Sequence, residues 1–281
     1  MSPIDVVLVI AAMACAFSWI ASLVTADTSW VDRLWSIVPV LYVGVFAVFA
    51  HLDNVRLDLM AALVAIWGIR LTFNFARKGG YSGIEDYRWQ ILRESMSPWQ
   101  FQLFNIGFIV LYQNFLLVLI SLPAYNAFEH RHSPAGTLDA FLALCFLLCT
   151  FGETVADQQQ WNFQSWKHGE LAAGRPTRER FVTTGLFRLA RHPNYFFELA
   201  QWWILFLIGA VAAHTLVQWT VLGPLLLSGL FAGSTTFTEK ISKSRYPEYE
   251  QYQRRVSPVV PWFPRSQLND IQIVDLDRPV D

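Results

Sequence analysis

The segment from Arg188 to Trp203, RLARHPNYFFELAQWW, joins charged and polar side chains to a strongly apolar sequence. Within it, Asn194, Glu198 and Trp202 are spaced at i, i+4 and i+8, which places them on one face of a helix. An amide both donates and accepts hydrogen bonds, whereas an ionised carboxylate only accepts them. Such a pair could hold a carboxamide, whose NH2 group needs acceptors and whose carbonyl needs a donor. The spacing therefore predicts a site for a carboxamide-bearing ligand, such as the nicotinamide head of NAD(P).

The same residues also have a structural explanation. Glu198 could pair with Arg191 and close the helix end, and Pro193 suits a first helical turn. No charged residue follows Glu198 in 199–238, a run long enough to cross a bilayer. Ionisable residues inside membrane segments are functional by default, because a charge in lipid is costly. We therefore expect Glu198 to bind a ligand, with the ion pair as the alternative.

The composition indicates an integral membrane protein. Hydrophobic residues make up 54% of the 281 positions and charged residues 15%, against about 25% charged residues in soluble domains. No Asp, Glu, Lys or Arg occurs in 6–26, 95–128 or 199–238, and each run reaches the roughly 20 residues that cross a bilayer. The formal net charge of −1 argues against nucleic-acid binding.

Hydropathy and chain-breaking residues predict an all-α fold, a polytopic membrane bundle of about seven helices. The predicted spans are 4–25, 35–51, 57–76, 101–123, 136–155, 199–213 and 216–237. We expect them to form one membrane-embedded domain over residues 1–265, followed by a disordered tail at 266–281.

The basic residues predict how the bundle is oriented. Eighteen of the 21 Lys and Arg residues fall on one side of the predicted spans, in 26–34, 77–100, 156–198 and 238–281. Cytoplasmic loops carry such an excess. We therefore expect the N-terminus outside, the C-terminus inside, and the Arg188–Trp203 segment at the cytoplasmic face.

Two segments carry a resemblance to a known family: TTGLFRLARHPNYFFE at 183–198 and FTEKISKSRYPEYEQYQRRVSPVVPWFP at 237–264. They resemble the C-terminal domain of the steroid 5-alpha-reductase family, in a bacterial branch, and residues 67–94 add weaker support. The resemblance implies a seven-helix bundle that holds NADPH in a cavity facing the cytoplasm. It also implies reduction of an activated carbon–carbon double bond, as in 3-oxo-4-ene steroids. We expect the membrane to be a bacterial inner membrane.

The resemblance places Asn194, Tyr195 and Glu198 at the cofactor, with Asn194 and Glu198 nearest the nicotinamide. Phe197 stands where the family usually has a small Gly, which narrows that position. The predicted cofactor-binding residues are Arg77, Arg88, Asp157, Lys167, Arg180, Arg191, His192, Asn194, Tyr195, Glu198, Glu239, Tyr246 and Tyr249.

No GxGxxG motif follows a predicted strand, so a dinucleotide would bind among helices and loops rather than on a Rossmann domain. Its phosphates need cations, and Arg is preferred where phosphate is held by two hydrogen bonds. The candidates are Arg77, Lys78, Arg88, Lys167, Arg180 and Arg191. The positive-inside bias would by itself also place basic residues in these loops, so both explanations stay open.

Three tyrosines near the C-terminus, Tyr246, Tyr249 and Tyr252, follow one another at i+3 steps. Neighbours in this series could share a helical face. Tyrosine rings could stack on adenine and their hydroxyls could bind ribose. An interfacial aromatic belt would explain the same pattern.

Reduction of an enone builds negative charge on the carbonyl oxygen, which a positioned acid or hydrogen-bond donor must meet. Asp32, if protonated, is the predicted donor, supported by Tyr112 or Gln113. The family's N-terminal Gln-Glu pair, which helps hold the substrate ketone, corresponds at best to Val31-Asp32. Equally, Asp32 could form a structural ion pair with Arg70.

Two further functional hypotheses remain. Isoprenylcysteine carboxyl methyltransferases show a similar Arg-His-Pro-x-Tyr element, so a membrane methyltransferase using S-adenosylmethionine is the alternative. Asn194 directly after Pro193, with Glu198 one turn later, favours the reductase. A non-catalytic lipid-binding or scaffold protein is the third.

The expected partners are membrane lipids and a lipophilic substrate that enters from the bilayer, such as a steroid, a polyprenoid or an unsaturated acyl chain. His130-x-His132 lacks the further ligands of a metal site. We therefore expect no metal.

Overall fold

The computed structural model describes residues 1–83, 85–175, 177, 180–265 and 268, and in these residues the regular secondary structure is helical. One isolated bridge pairs Ala190 with Ser257. The α-helices are α1 Pro3–Thr25, α2 Trp30–Trp35, α3 Val38–Phe49, α4 Val55–Arg77, α5 Tyr87–Ser95, α6 Pro98–Phe104, α7 Gln113–Glu129, α8 Thr137–Ala172, α9 Pro193–Ala213, α10 Leu222–Arg245 and α11 Tyr249–Arg255.

Seven helical stretches among the described residues are long and apolar enough to cross a membrane, as the sequence predicted. They are Pro3–Thr25, Trp30–Phe49, Val55–Arg77, Pro98–Glu129, Thr137–Ala172, Pro193–Ala213 and Trp219–Arg245. The predicted break near His214 is present, because α9 ends at Ala213 and His214 takes a left-handed φ of 55°. The predicted helical membrane bundle is thus confirmed, and contact with membrane lipids follows from it.

Local sequence explains where several helices begin. Ser2 and Asp5 form a reciprocal capping box at α1, in which Ser2 N donates to the Asp5 carboxylate at 2.7 Å. Asn54 Oδ1 accepts from Leu57 N at 3.1 Å at the start of α4. These bonds satisfy backbone N–H groups that the first helical turn leaves without partners.

The stretch between α6 and α7 is a π-helix, Asn105–Tyr112. π-helical turns are rare and occur frequently at functional sites. Aromatic side chains four residues apart stack along this stretch. Phe104 stacks on Phe108 at 5.0 Å, and Phe108 stacks on Tyr112 at 5.3 Å.

The chain divides into two compact units. Unit 1 contains residues 1–148 and 201–228, and unit 2 contains residues 149–200 and 229–281. The expectation of one domain over 1–265 stays a prediction. The tail predicted at 266–281 lies outside the described residues, Leu268 excepted.

Unit 1 holds most of the apolar core. Trp67 meets Trp202 edge to face at 4.8 Å, and both rings are almost wholly buried. α9 and α10 approach α7 closely at two glycines, since a Cβ on Gly209 would lie 2.6 Å from Pro123 O and one on Gly223 would lie 2.5 Å from Leu119 O. The absence of a side chain at both positions therefore sets how closely these helices pack.

A buried ion pair also lies in unit 1. Arg56 Nε donates to Asp139 Oδ1 at 2.6 Å, and both side chains are 3% exposed. Arg56 also donates to the carbonyls of Ser133 and Pro134. These bonds join α4 to the loop before α8 and to the first turn of α8.

Unit 2 contains the start of α9, the end of α10, the second part of α8, and α11. α8 has 36 residues, which at 1.5 Å per residue is about 54 Å, well beyond the ~30 Å of a bilayer core. Its second part carries the charged residues Glu153, Asp157 and Lys167. The helix therefore continues beyond its apolar stretch into a polar one. Successive spans cross a membrane in alternating directions. The end of α8, the start of α9 and the end of α10 therefore lie on the same side of the membrane.

Candidate functional site

Glu239, near the end of α10, is the centre of a polar cluster in unit 2. Its Oε1 accepts from Arg191 Nε at 2.6 Å and lies 3.1 Å from His192 Nε2. Its Oε2 accepts from Arg191 Nη2 at 2.9 Å and from Gln253 Nε2 at 2.8 Å. We call these four residues the Glu239 cluster. Charge-assisted bonds of this two-fold geometry are among the strongest hydrogen bonds in proteins.

Arg191 holds three parts of unit 2 together. Besides Glu239, its Nη1 donates to the carbonyls of Gln253, at 2.9 Å, and Val256. Four of the five guanidinium N–H groups are therefore used inside the protein. The carboxylate that pairs with Arg191 is thus Glu239, which the sequence had not suggested.

Backbone bonds attach the segment after α11 to the RHPN motif. Arg191 N donates to Ser257 O at 2.8 Å, and His192 N donates to Pro258 O at 3.0 Å. Tyr252 on α11 donates its hydroxyl to Phe187 O at 2.5 Å. The start of α9 is consequently fixed by residues more than 60 positions later in the chain.

The first turns of α9 carry the predicted nicotinamide residues. Tyr195 stacks on His192 at 5.1 Å and 19° and meets Phe231 edge to face at 4.7 Å. Glu198 is 5% exposed and engaged in interactions, while Asn194 is half-buried. Because His192 belongs to the Glu239 cluster and stacks on Tyr195, the cluster helps to orient Tyr195 as well.

Phe197 has a specific neighbour on α8. A Cβ built on Gly152 would lie 2.5 Å from Phe197 Cζ, so the ring occupies space that only glycine leaves open. The large residue that replaces the family's small one is therefore accommodated by a small residue elsewhere. Nothing in the local sequence of 150–155 indicates this pairing.

Several of the predicted adenine and phosphate residues of unit 2 belong to an aromatic cluster or contact it. Lys167 Nζ donates to Arg180 O at 2.8 Å and to Tyr246 OH at 3.2 Å, and it lies 4.9 Å from the Tyr246 ring centroid. Phe181 meets Tyr249 at 4.9 Å and stacks with Tyr252 at 5.4 Å. The structure thus brings together Lys167, Tyr246 and the backbone of Arg180.

Burial raises the pKa of the Tyr249 and Tyr252 phenols above the ordinary value for tyrosine. Tyr249 is 5% exposed and Tyr252 is 1% exposed. Both rings therefore belong to the core of unit 2, where they stay protonated. Tyr246, which is half-buried, is the more accessible member of the series.

Three other predicted cofactor-binding residues, Asp157, Arg77 and Arg88, are not members of the Glu239 cluster. Asp157 on α8 is buried, at 5% exposed, and has interaction partners. Two belong to unit 1: Arg77 Nε donates to Asn74 Oδ1 at 2.9 Å, and Arg88 Nη2 pairs with Asp86 at 2.8 Å. Their cofactor roles stay predictions.

The predicted proton-donor residues all lie in unit 1. Asp32 Oδ2 accepts from Trp89 Nε1 at 2.9 Å, a partner that sequence reasoning missed. Trp89 packs in a cluster with Val31 and Ile109, against which Phe104 and Phe108 also pack. The aromatic stack along the π-helix then continues from Phe108 to Tyr112.

Tyr112 and Gln113 lie where the π-helix ends. Tyr112 OH donates to Leu226 O over 3.5 Å, and Gln113 is 3% exposed. A hydrogen bond and a continuous aromatic series thus connect Asp32 with Tyr112. Among the described residues, no group of three or more His, Cys, Asp or Glu side chains could hold a metal ion.

A helical bundle with seven candidate spans and a polar cluster at the start of the sixth defines a polytopic membrane protein. The chain belongs to the family described as a protein of unknown function, DUF1295, whose model matches residues 18–256. This family lies in the steroid 5-alpha-reductase-like group, so the predicted resemblance is confirmed at that level.

The chain is also similar to an uncharacterized protein of Schizosaccharomyces pombe. The two are 38% identical over 278 residues, which cover 92% of this chain and 79% of the yeast protein. No solved structure matches this chain.

Proposed function

We propose that this protein is an NADPH-dependent membrane reductase that acts on an activated carbon–carbon double bond in a lipophilic, enone-like substrate. The observation that carries the proposal is the position of Asn194 one helical turn before Glu198, which is 5% exposed, on α9. A rigid frame of hydrogen bonds holds the start of that helix, and binding sites work best when such a frame fixes their side chains. Membership in the steroid 5-alpha-reductase-like group supports the same activity.

The residues of unit 2 suit a dinucleotide in two respects. Asn194 offers a donor and an acceptor and Glu198 offers acceptors, which matches the needs of a carboxamide. Lys167 has three N–H groups and uses two of them on Arg180 O and Tyr246 OH. The third can meet a phosphate oxygen.

Arg191 suits a different task. With four of its N–H groups bonded to Glu239, Gln253 and Val256, it is poorly placed to bind phosphate in the two-fold manner of free arginines. We propose that Arg191 acts by positioning His192 and the start of α9.

When bound, NADPH supplies the hydride, and the protein supplies orientation and electrostatics. Asn194 and Glu198 would hold the carboxamide and so orient the ring. Asp32, in its protonated form, would donate to the carbonyl oxygen of the substrate, supported by Tyr112 or Gln113. Across enzymes, electrostatic stabilisation of such developing charge is commonly the largest single contribution to catalysis.

We also propose that the polar end formed by α8, α9 and α10 faces the cytoplasm, where NADPH is available. The distribution of Lys and Arg supports this orientation. Assignment to a bacterial branch and to a bacterial inner membrane stays a prediction.

Calorimetry on the purified protein in detergent tests the proposal. We expect NADPH to bind more tightly than NADH, because the extra 2′-phosphate adds contacts to basic side chains, and we expect enone-dependent oxidation of NADPH. Binding of neither nucleotide would overturn the proposal. Binding and thermal stabilisation by S-adenosylmethionine alone would establish the methyltransferase alternative instead.

A further inference from the structure

The segment that follows α11, PVVPWFPR at 258–265, exposes large apolar side chains at the polar end of unit 2. Val260 is 60% exposed, Trp262 is 71% exposed and Phe263 is 81% exposed. Three prolines in eight residues keep the segment out of a helix and out of a sheet interior. Contiguous exposed apolar residues of this kind mark a surface that contacts something other than water.

Backbone hydrogen bonds hold this segment next to the residues that immediately precede α9. Trp262 N donates to Leu189 O at 2.9 Å, and His192 N donates to Pro258 O at 3.0 Å. α9, a candidate membrane span, begins at Pro193. Leu189 precedes Pro193 by four residues, which span about 14 Å at most even when fully extended.

The segment is therefore held close to the first residue of a candidate membrane span. The headgroup region on each side of the hydrocarbon core is roughly 5–8 Å thick, so an upper limit of about 14 Å from the helix start keeps the segment within reach of that region. Tryptophan is enriched at this depth, because its ring combines apolar area with one N–H donor. Exposed arginines flank the aromatic pair: Arg188 lies beside Leu189, and Arg265 follows Pro264. Arginines at this depth attract lipid phosphates.

We propose that Trp262 and Phe263 insert into the interfacial region of the same bilayer that α9 crosses. The segment would thereby anchor α11 and the Glu239 cluster to the membrane surface. The partner is phospholipid, since the pinned backbone holds the aromatic side chains at the depth of the headgroups.

Site-specific labelling tests this anchor. Cys15, Cys145 and Cys149 are replaced by Ala, and Val260→Cys then carries an environment-sensitive fluorophore in phosphatidylcholine nanodiscs. We expect blue-shifted emission and loss of most of the fluorescence when lipids bear a nitroxide near the headgroup. The matched control is Ala173→Cys, just beyond the end of the long helix α8, which should be quenched by aqueous iodide only.

A second pair of variants separates insertion from mere proximity. Adding Trp262→Ser and Phe263→Ser to the Val260→Cys protein should shift the emission to the red and restore iodide quenching at an unchanged melting temperature. Lipid quenching that is equal with and without the two aromatic residues would overturn the proposal. So would a Val260 label that iodide reaches as readily as the Ala173 label, or one that neither lipid nor iodide quenches, which would indicate a protein cover.

Discussion

Glu198 is the residue on which the proposed cofactor site most depends. Glu198→Gln keeps the shape of the side chain but removes the charge that strengthens its hydrogen bonds. Bonds to charged groups contribute about 1.5–3 kcal/mol, so we expect NADPH affinity to fall roughly ten- to a hundredfold. Asn194→Ala should act similarly, and the two losses should be non-additive because both groups hold one fragment.

The control is Glu153→Gln, which makes the same change at a buried carboxylate on α8 outside the predicted site. Calorimetric NADPH affinity and the melting temperature of the ligand-free protein are measured on each variant. A lowered melting temperature with normal NADPH affinity would reduce Glu198 to a structural role.

At the scale of elements, Arg191 links the loop before α9 to Glu239 on α10 and to the carbonyl of Gln253 on α11. Arg191→Lys keeps the charge but loses the forked geometry. We expect the unfolding free energy to fall by about 1.5–3 kcal/mol, as for lost charge-assisted bonds, and the ratio of NADPH to NADH affinities to stay constant. The exposed Arg188→Lys should change neither quantity. Weaker NADPH binding with an unchanged melting temperature would instead assign Arg191 to the phosphates.

The close approach of α9 and α10 to α7 gives a second prediction at this scale. Gly209→Ala and Gly223→Ala would each place a methyl group within 2.6 Å of a backbone oxygen. Overpacking of this kind costs about 1–3 kcal/mol, so both variants should melt at lower temperature. Gly44→Ala on α3 is the matched control, because a Cβ there meets nothing within 4 Å. Equal melting temperatures for all three would contradict the packing argument.

At the scale of the whole molecule, the distribution of 18 basic residues on one side predicts an external N-terminus and a cytoplasmic C-terminus. Fusions at each end to reporters active on only one side of the membrane measure this directly. We expect a cytoplasmic reporter to work at the C-terminus and a periplasmic one at the N-terminus. The reverse pattern would contradict both the predicted orientation and the proposal that the cofactor site faces the cytoplasm.

The sequence by itself predicted the seven spans, because twenty consecutive apolar residues cannot remain in water and a helix satisfies its own backbone in lipid. It also singled out Asn194 and Glu198 as candidate ligand-binding residues, since they lie one turn apart on one helix. Hydropathy missed the length of α8, predicted as 136–155 and observed as Thr137–Ala172. Its final turns are polar and give no membrane signal.

Contacts between distant residues were decided only by the tertiary structure. The Glu239 cluster joins residues 191, 239 and 253, Trp89 finds Asp32 across 57 positions, and Gly152 receives Phe197. Spacing along the chain encodes only partners within a turn or two of a helix. The packing of helices decides which carboxylate an arginine pairs with and which glycine leaves room for an aromatic ring. The periodicity of one helix contains no information about the helix that packs against it.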